Sequence, residues 1–225
     1  MIRISASSAA HQGTSAELKE GKYVRLDDLF YGTMLPSGND AAFLLAEVFG
    51  LLLFYESVKP ESRDYSEIES IDLTCYDSTT TFVNRFLKEM NRKAKELQMG
   101  KTVFTNPHGL ANLLNVSSAR DILLLSRYAY ANRTFRSIAN AQQHEAAFFE
   151  EDMTTVHCTR RWTNTNKLLG LGWEGIKTGQ TAPAGGCLAS VREGVFIVVL
   201  NCASRDARFE DTLTLWEWYN GREGR

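Results

Sequence analysis

Cys187-Leu-Ala-Ser-Val191 and Val195-Phe-Ile-Val-Val-Leu-Asn201, separated by Arg192-Glu-Gly194, read as two β-strands joined by a tight turn. β-Branched and apolar residues fill both runs, and a short break containing glycine is a hairpin signal. The second run is apolar almost without interruption, as expected of a strand buried on both faces. Downstream, Phe209, Leu213, Trp216 and Trp218 predict a closing helix over about 206–219, with Gly221 as its stop. Upstream the periodicity is helical. A first helix starts near Asp40, where an acid suits a helix N-terminus, and buries Ala41, Leu44, Leu45 and Val48. A second, over 79–99, puts Phe82, Phe86, Met90, Ala94 and Leu97 on one face and ends at Gly100. A third begins at the capping-box-like Ser118-Ala-Arg-Asp121 and carries Ile122, Leu125 and Tyr128. The polar stretch from Ser57 to Ser78, with Pro60, reads as a surface excursion. Helices first, then a hairpin and a closing helix, predict an α+β fold.

With 225 residues, 44% of them hydrophobic, the chain is large enough for one domain with a substantial core. Its 25 basic and 27 acidic side chains leave a net charge of −2, and no Lys/Arg cluster is dense enough to suggest nucleic acid as a partner. The longest apolar run, Phe43 to Tyr55, is interrupted by Glu47 and is too short for a bilayer, so no transmembrane segment is expected. A polar stretch follows Met1, where a secretory leader would have an apolar core. The four cysteines, Cys75, Cys158, Cys187 and Cys202, form no C-x-x-C pair, which argues against a zinc site and against a disulfide framework. No metal or other cofactor is expected.

Two short elements carry chemistry. Ser37-Gly38-Asn39 lies on a turn directly before a helix; alone, an S-x-N triplet is common enough to be only a turn and a helix start. Lys177-Thr178-Gly179, inside Glu174-Gly-Ile-Lys-Thr-Gly-Gln-Thr181, is rarer by chance, but alone it reads equally as a strand end with an exposed lysine. In this order the two match the second and third elements of the S-x-x-K, S-x-N, K-T-G set of penicillin-binding enzymes.

Longer stretches sharpen the match. Asp27-Asp-Leu-Phe-Tyr-Gly-Thr-Met-Leu-Pro-Ser-Gly-Asn-Asp-Ala-Ala42, Thr105-Asn-Pro-His-Gly-Leu110, Thr163-Asn-Thr-Asn-Lys-Leu-Leu169 and Gly175-Ile-Lys-Thr-Gly-Gln-Thr181 together resemble the serine-type D-alanyl-D-alanine carboxypeptidase family. The likeness runs from about Ile4 to Tyr219. It implies a β-lactamase/transpeptidase-like fold, an antiparallel sheet flanked by helices with a mostly helical subregion, and one domain over 1–225. It also implies acyl transfer through a serine, on D-Ala-D-Ala-terminated peptides or β-lactams. Family members are usually extracytoplasmic. By resemblance Ser37 relays a proton, Asn39 holds a backbone amide of the substrate, and Lys177 attracts its terminal carboxylate. The Thr178 hydroxyl is a second donor, Gly179 lets the substrate pair along the strand edge, and the Gln180 N–H is an oxyanion donor. His108 reads as a turn histidine rather than a base, and Cys187 as an inert thiol on an apolar strand.

One element of the set is missing. No S-x-x-K precedes Ser37; Ser15-Ala-Glu-Leu-Lys19 has one intervening residue too many and matches the family's stretch after that motif. The expectation is a domain incomplete at its N-terminus, with the nucleophile before residue 1 and the chain as written inactive. Two alternatives stay open: a non-catalytic peptide-binding module of the same descent, and a β-lactamase. The last is disfavoured because Ala111-Asn-Leu-Leu-Asn115 has alanine where a deacylating glutamate is needed. In the family, strands from before S-x-x-K pair with the strand that here is Val195–Asn201, so a strand-donating partner is expected.

Overall fold

A computed structural model describes residues 1–58, 70–76 and 78–223. In chain order the first elements are β1 (Ile2–Arg3), α1 (Ala6–Ala9), β2 (Tyr23–Val24), α2 (Leu26–Met34), α3 (Asn39–Val58) and α4 (Thr80–Glu96). Next come α5 (Ala119–Tyr130), α6 (Arg133–Asn140), β3 (Gln143–Phe149) and β4 (Val156–Thr163). A 3-10 turn (Lys167–Leu171), β5 (Glu174–Thr181), β6 (Gly185–Arg192), β7 (Val195–Cys202) and α7 (Ala207–Glu223) complete the chain. The fold is α+β, with antiparallel sheets and helices as the element pattern predicts. The chain divides into two compact units.

The first unit holds residues 1–92, 105–108 and 143–163. Its antiparallel sheet has the order β1-β2-β3-β4. The β3–β4 hairpin lies in a stretch without a clear period, and sequence reasoning missed it. Its turn is held by the Asp152 carboxylate, which accepts the backbone N–H of Thr154 and Thr155 and the Thr155 hydroxyl. Alternation then buries Ala146 and Phe148, and Phe148 stands edge-on to Trp162 from β4; Val24, Leu29, Leu44 and Val48 are buried in the same unit. The α3 helix is the centre of this core, burying Ala41, Ala42, Leu44, Leu45, Ala46, Val48 and Leu51. At 20 residues it exceeds the apolar run seen in the sequence, and by length and composition it meets the minimum for crossing a bilayer. Glu47 sits fully buried on it, accepting the hydroxyls of Ser5 at 2.6 Å and Thr79 at 2.5 Å, and burial pushes its carboxyl above the usual range. Most of the expected 57–78 excursion lies outside the described residues. Within the part that is described, Ile71 bridges Ile2 in parallel and Leu73 is buried.

The second unit holds residues 93–104, 109–142 and 164–225. Its sheet is β5-β6-β7, antiparallel throughout. The predicted hairpin forms, with Arg192 paired to Val195, so that the loop is only Glu193-Gly194. Both loop residues have positive φ, +50° and +79°, the twist-matching turn for a two-residue hairpin. Alternate residues of β7 enter two separate cores. Ile197, Val199 and Cys202 pack with Leu188, Trp173, Phe209 and Trp216. Phe196 and Val198 pack with Tyr130, Ile176, Ala189 and Val191. This is why the run is apolar at successive positions from Val195 to Val199. β7 lies at one edge of this sheet and β5 at the other.

Several element boundaries differ from the sequence expectation. α4 stops before Gln98, which takes the left-handed conformation at φ +59° expected of Gly100. α7 runs through Gly221 to Glu223, and Trp218 is 55% exposed, because the buried stripe of this helix is Phe209, Thr212 and Trp216. On α5 Tyr128 faces outward and Tyr130 is buried. Ser118 caps α5 through the Asp121 N–H as predicted. All four cysteines are free; Leu188 pairs with Val199, and beyond it a register shift sets Cys202 opposite Gly186.

Candidate active site

In the first unit the Ser37-Gly38-Asn39 turn joins α2 to α3. Ser37 has φ +61°, a left-handed conformation that costs a non-glycine residue on the order of 1 kcal/mol and persists only when its surroundings impose it. The surroundings do so. Thr14 Oγ1 donates to the Ser37 carbonyl, Gly38 N–H to Gly32 O at 3.0 Å, and Asn39 N–H to Thr14 O at 2.8 Å. A Cβ on Gly38 would stand 2.8 Å from Ala16 N, Asp40 Oδ1 and Gly32 O, so only glycine fits between these two walls. Asn39 is buried, and one of its two amide protons goes to Gln12 O at 2.9 Å.

Asp40 does more than complement a helix dipole. Its buried carboxylate accepts the Ser15 hydroxyl at 2.6 Å and the N–H groups of Ala16, Leu18 and Ala41 at 2.8, 3.1 and 2.9 Å, fastening residues 15–18 to the S-G-N turn. The Ser15 hydroxyl proton is therefore committed to Asp40, and Glu17 has φ +62°, so Ser15 and Lys19 share no helical turn. They are not a displaced S-x-x-K pair.

His108 stands edge-on to His11 at 4.4 Å between centroids, and His11 stacks on Phe43 at 4.5 Å. Burial, with the His11 ring adding to it, brings His108 down to about 4; burial lowers His11 as well, against a pull upward from Asp40. Both rings are thus neutral at pH 7. A histidine kept neutral in the fold, but free to charge near 6.5 when unfolded, contributes stability that is lost as pH falls from about 6.5 through about 4. Thermal melts between pH 7 and pH 4 should show this loss, and His108→Phe should make the slope shallower than in the parent. Equal slopes would remove the assignment.

In the second unit Lys177, Thr178, Gly179 and Gln180 lie along β5, after a register shift between Gly175 and Lys177. A Cβ on Gly175 would meet Ala139 O at 2.6 Å, so the strand is drawn tightly onto the end of α6. Asn140 Oδ1 accepts the Gly175 N–H at 2.7 Å, its Nδ2 donates to the Tyr130 hydroxyl, and that hydroxyl donates to Glu174. The Lys177 ammonium donates to Thr178 O at 2.8 Å. Burial first, and the Arg208 charge second, bring it down to about 8. Thr178 is buried, its hydroxyl 2.5 Å from that of Thr165. A Cβ on Gly179 would meet nothing closer than the Cys187 Cβ at 3.7 Å, so packing within this unit does not demand glycine there. Gln180 is exposed on the same strand.

Arg208 is the residue that sequence reasoning missed. It is buried in the first turn of α7, and its Nη1 donates to Gly179 O at 2.9 Å, while its Nε has no hydrogen-bond partner among the described residues. Burial, and then Arg205, lower its pKa. A cation in the first turn of a helix opposes the helix dipole, and that was the available signal. Among the described residues no cluster of His, Cys, Asp and Glu has the arrangement of a metal site.

The second unit therefore presents a strand edge with a half-buried lysine and a buried arginine, and the first a strained S-x-N turn held by a buried carboxylate. A family profile described as D-alanyl-D-alanine carboxypeptidase matches residues 78–203, and the chain belongs to that family. It is 29% identical over 215 residues to a D-alanyl-D-alanine carboxypeptidase of Streptomyces sp. (strain K15), covering 93% of this chain and 65% of that protein. With D-alanyl-D-alanine carboxypeptidase DacC of Escherichia coli (strain K12) it shares 30% over 208 residues, covering 89% of this chain and 42% of DacC. The crystal structure of the Streptomyces K15 DD-transpeptidase superposes with a TM-score of 0.78 at 28% identity, over 96% of this chain and 77% of that one. The chain thus spans between about two fifths and two thirds of the length of these curated relatives.

Proposed function

We propose that this chain carries the S-x-N and K-T-G elements of a serine-type D-Ala-D-Ala carboxypeptidase and recognises peptides, or β-lactams, by a terminal carboxylate. The observation that carries the reading is the pair of cations at β5. Burial and the Arg208 charge lower the readiness of Lys177 to hold a proton, and an incoming carboxylate offsets that repulsion. The roles proposed are Ser37 for proton relay, Asn39 for a substrate amide, Lys177 and Thr178 for the carboxylate, Gly179 for close approach and Gln180 N–H for the oxyanion. Arg208 joins Lys177 as a second source of positive charge. The whole of 1–225 is proposed to serve as one carboxypeptidase-like domain. α3 is proposed to be a core helix rather than a membrane span, supported by the paired, buried Glu47 in its middle. The open edge of β7 supports pairing with a strand supplied from outside these residues.

The 225 residues contain no S-x-x-K, so a second reading is a peptide-binding module without chemistry of its own. One experiment tests whether these residues have acyl-transfer chemistry of their own. The polypeptide of residues 1–225 is treated with fluorescent penicillin and run on a denaturing gel. No covalent adduct is expected, because Ser37 without an activating lysine on its own helical turn is an ordinary alcohol. A stoichiometric adduct that disappears in Ser37→Ala would make Ser37 a nucleophile and overturn the relay role.

A further inference from the structure

Thr165 lies between two asparagines that leave its backbone no freedom. Asn164 Nδ2 donates to Ala139 O at 3.2 Å and Ala141 O at 3.0 Å, and its Oδ1 accepts the Asn166 N–H at 2.9 Å. Asn166 Oδ1 in turn accepts the Leu168 N–H at 3.1 Å and caps the 3-10 turn. From this fastened segment the Thr165 hydroxyl reaches β5, 2.5 Å from the hydroxyl of Thr178.

A hydroxyl has one proton, so in a pair of hydroxyls one donates and the other accepts. A carboxylate only accepts. If Thr178 spends its proton on Thr165, it presents only lone pairs to a ligand and repels a carboxylate. If Thr165 donates, the Thr178 proton is free to donate outward, and the two bonds polarise each other. We propose that Thr165 is a positioning residue that sets the proton direction of Thr178, so that the site reads a free terminal carboxylate in preference to a terminal carboxamide. The inference rests on the carboxylate-binding role proposed above for K-T-G, and it adds the group that decides which terminus is accepted. A carboxamide gains less, since its NH2 donates where the carboxylate would accept.

The test is calorimetry on the 225-residue chain with an N-acylated peptide ending in D-Ala-D-Ala, as the free acid and as its C-terminal amide. Parent, Thr165→Val, Thr165→Ser and Lys177→Ala are compared. Valine keeps the shape and removes the hydroxyl; serine keeps the hydroxyl. Thr165→Val is expected to weaken binding of the acid by about tenfold, as for loss of a hydrogen bond to a charged group, and to leave the amide nearly unchanged. Thr165→Ser should restore the preference for the acid. Equal weakening of acid and amide in the valine variant, with no rescue by serine, would mean packing alone and overturn the inference. So would parent-like binding of the acid by Thr165→Val while Lys177→Ala weakens it, a result that leaves the function reading intact. A parent chain that binds acid and amide alike, or neither, with Lys177→Ala no different, would overturn the carboxylate reading and this inference with it.

Discussion

Gly50→Val is expected to remove the cooperative thermal transition of the first unit, or to lower its midpoint by more than any surface change. Gly50 lies mid-way along α3, where the backbone at the start of α4 crosses it. A Cβ there would stand 2.0 Å from Phe82 O and 2.4 Å from Phe82 C. Both are main-chain atoms, so no side chain can swing aside; the two helices must separate by more than 1 Å to reach ordinary contact. That separation opens the core holding Leu44, Val48, Leu51 and Phe82, and weakens the hold of Thr79 on the buried Glu47 carboxylate. Overpacking of a close-packed interior costs about 1–3 kcal/mol and sometimes more, and backbone against backbone belongs at the upper end. Against a total stability of about 5–15 kcal/mol, a loss of about 3 kcal/mol is large. Gly50→Ala, with one methyl, should be milder but still destabilising, and a parent-like melt for either variant would show that the α3–α4 crossing has slack.

The second large effect concerns Lys177. Lys177→Ala is expected to weaken binding of a D-Ala-D-Ala-terminated acid by about tenfold to about a hundredfold, the range for a hydrogen-bonded charge worth about 1.5–3 kcal/mol. The pH dependence is more specific. With the ammonium brought down to about 8, Lys177 is charged below that pH and neutral above it. The affinity should be level up to about pH 7 and fall as pH rises through 8, whereas an ordinary lysine would hold it to above pH 10. In the unliganded chain the linkage has the opposite sense. The folded state has released this proton while the unfolded state still holds it, so stability rises with pH between about 8 and 10.5. Lys177→Ala should abolish both trends. An affinity in the parent that stays level to pH 10 would show that the cation at β5 is not perturbed, and the argument from Lys177 and Arg208 would fall.

Local chemistry made much of the architecture legible. The capping serine of α5, the acid in the first turn of α3 and the glycine of the β6–β7 turn each act within a few residues, and each element formed where its sequence placed it. The boundaries that differed are those where a longer contact competes. Trp216 and Thr212, rather than Trp218, turn α7 toward the sheet, and that packing carries the helix through Gly221. The β3–β4 hairpin escaped detection because its strands are held by partners far away in the chain, such as Tyr23 opposite Phe149 and Trp162 Nε1 on Ala16 O.

The sequence by itself determined the family, the α+β order, and the two motifs with the side chains they present, because those depend on residue identity at short spacing. Only the tertiary structure decided how those side chains are held and charged. Asp40 became the fastening of the S-G-N turn because residues 15–18 return to it, and Arg208 reached Gly179 O of the K-T-G strand because α7 folds back on β6 and β7. Lys177 lost part of its affinity for the proton through burial beside that arginine. Hydrogen bonds and charge act through space, over a few ångströms, whatever the separation along the chain, and no reading of the 30 residues between Lys177 and Arg208 foretells that they meet.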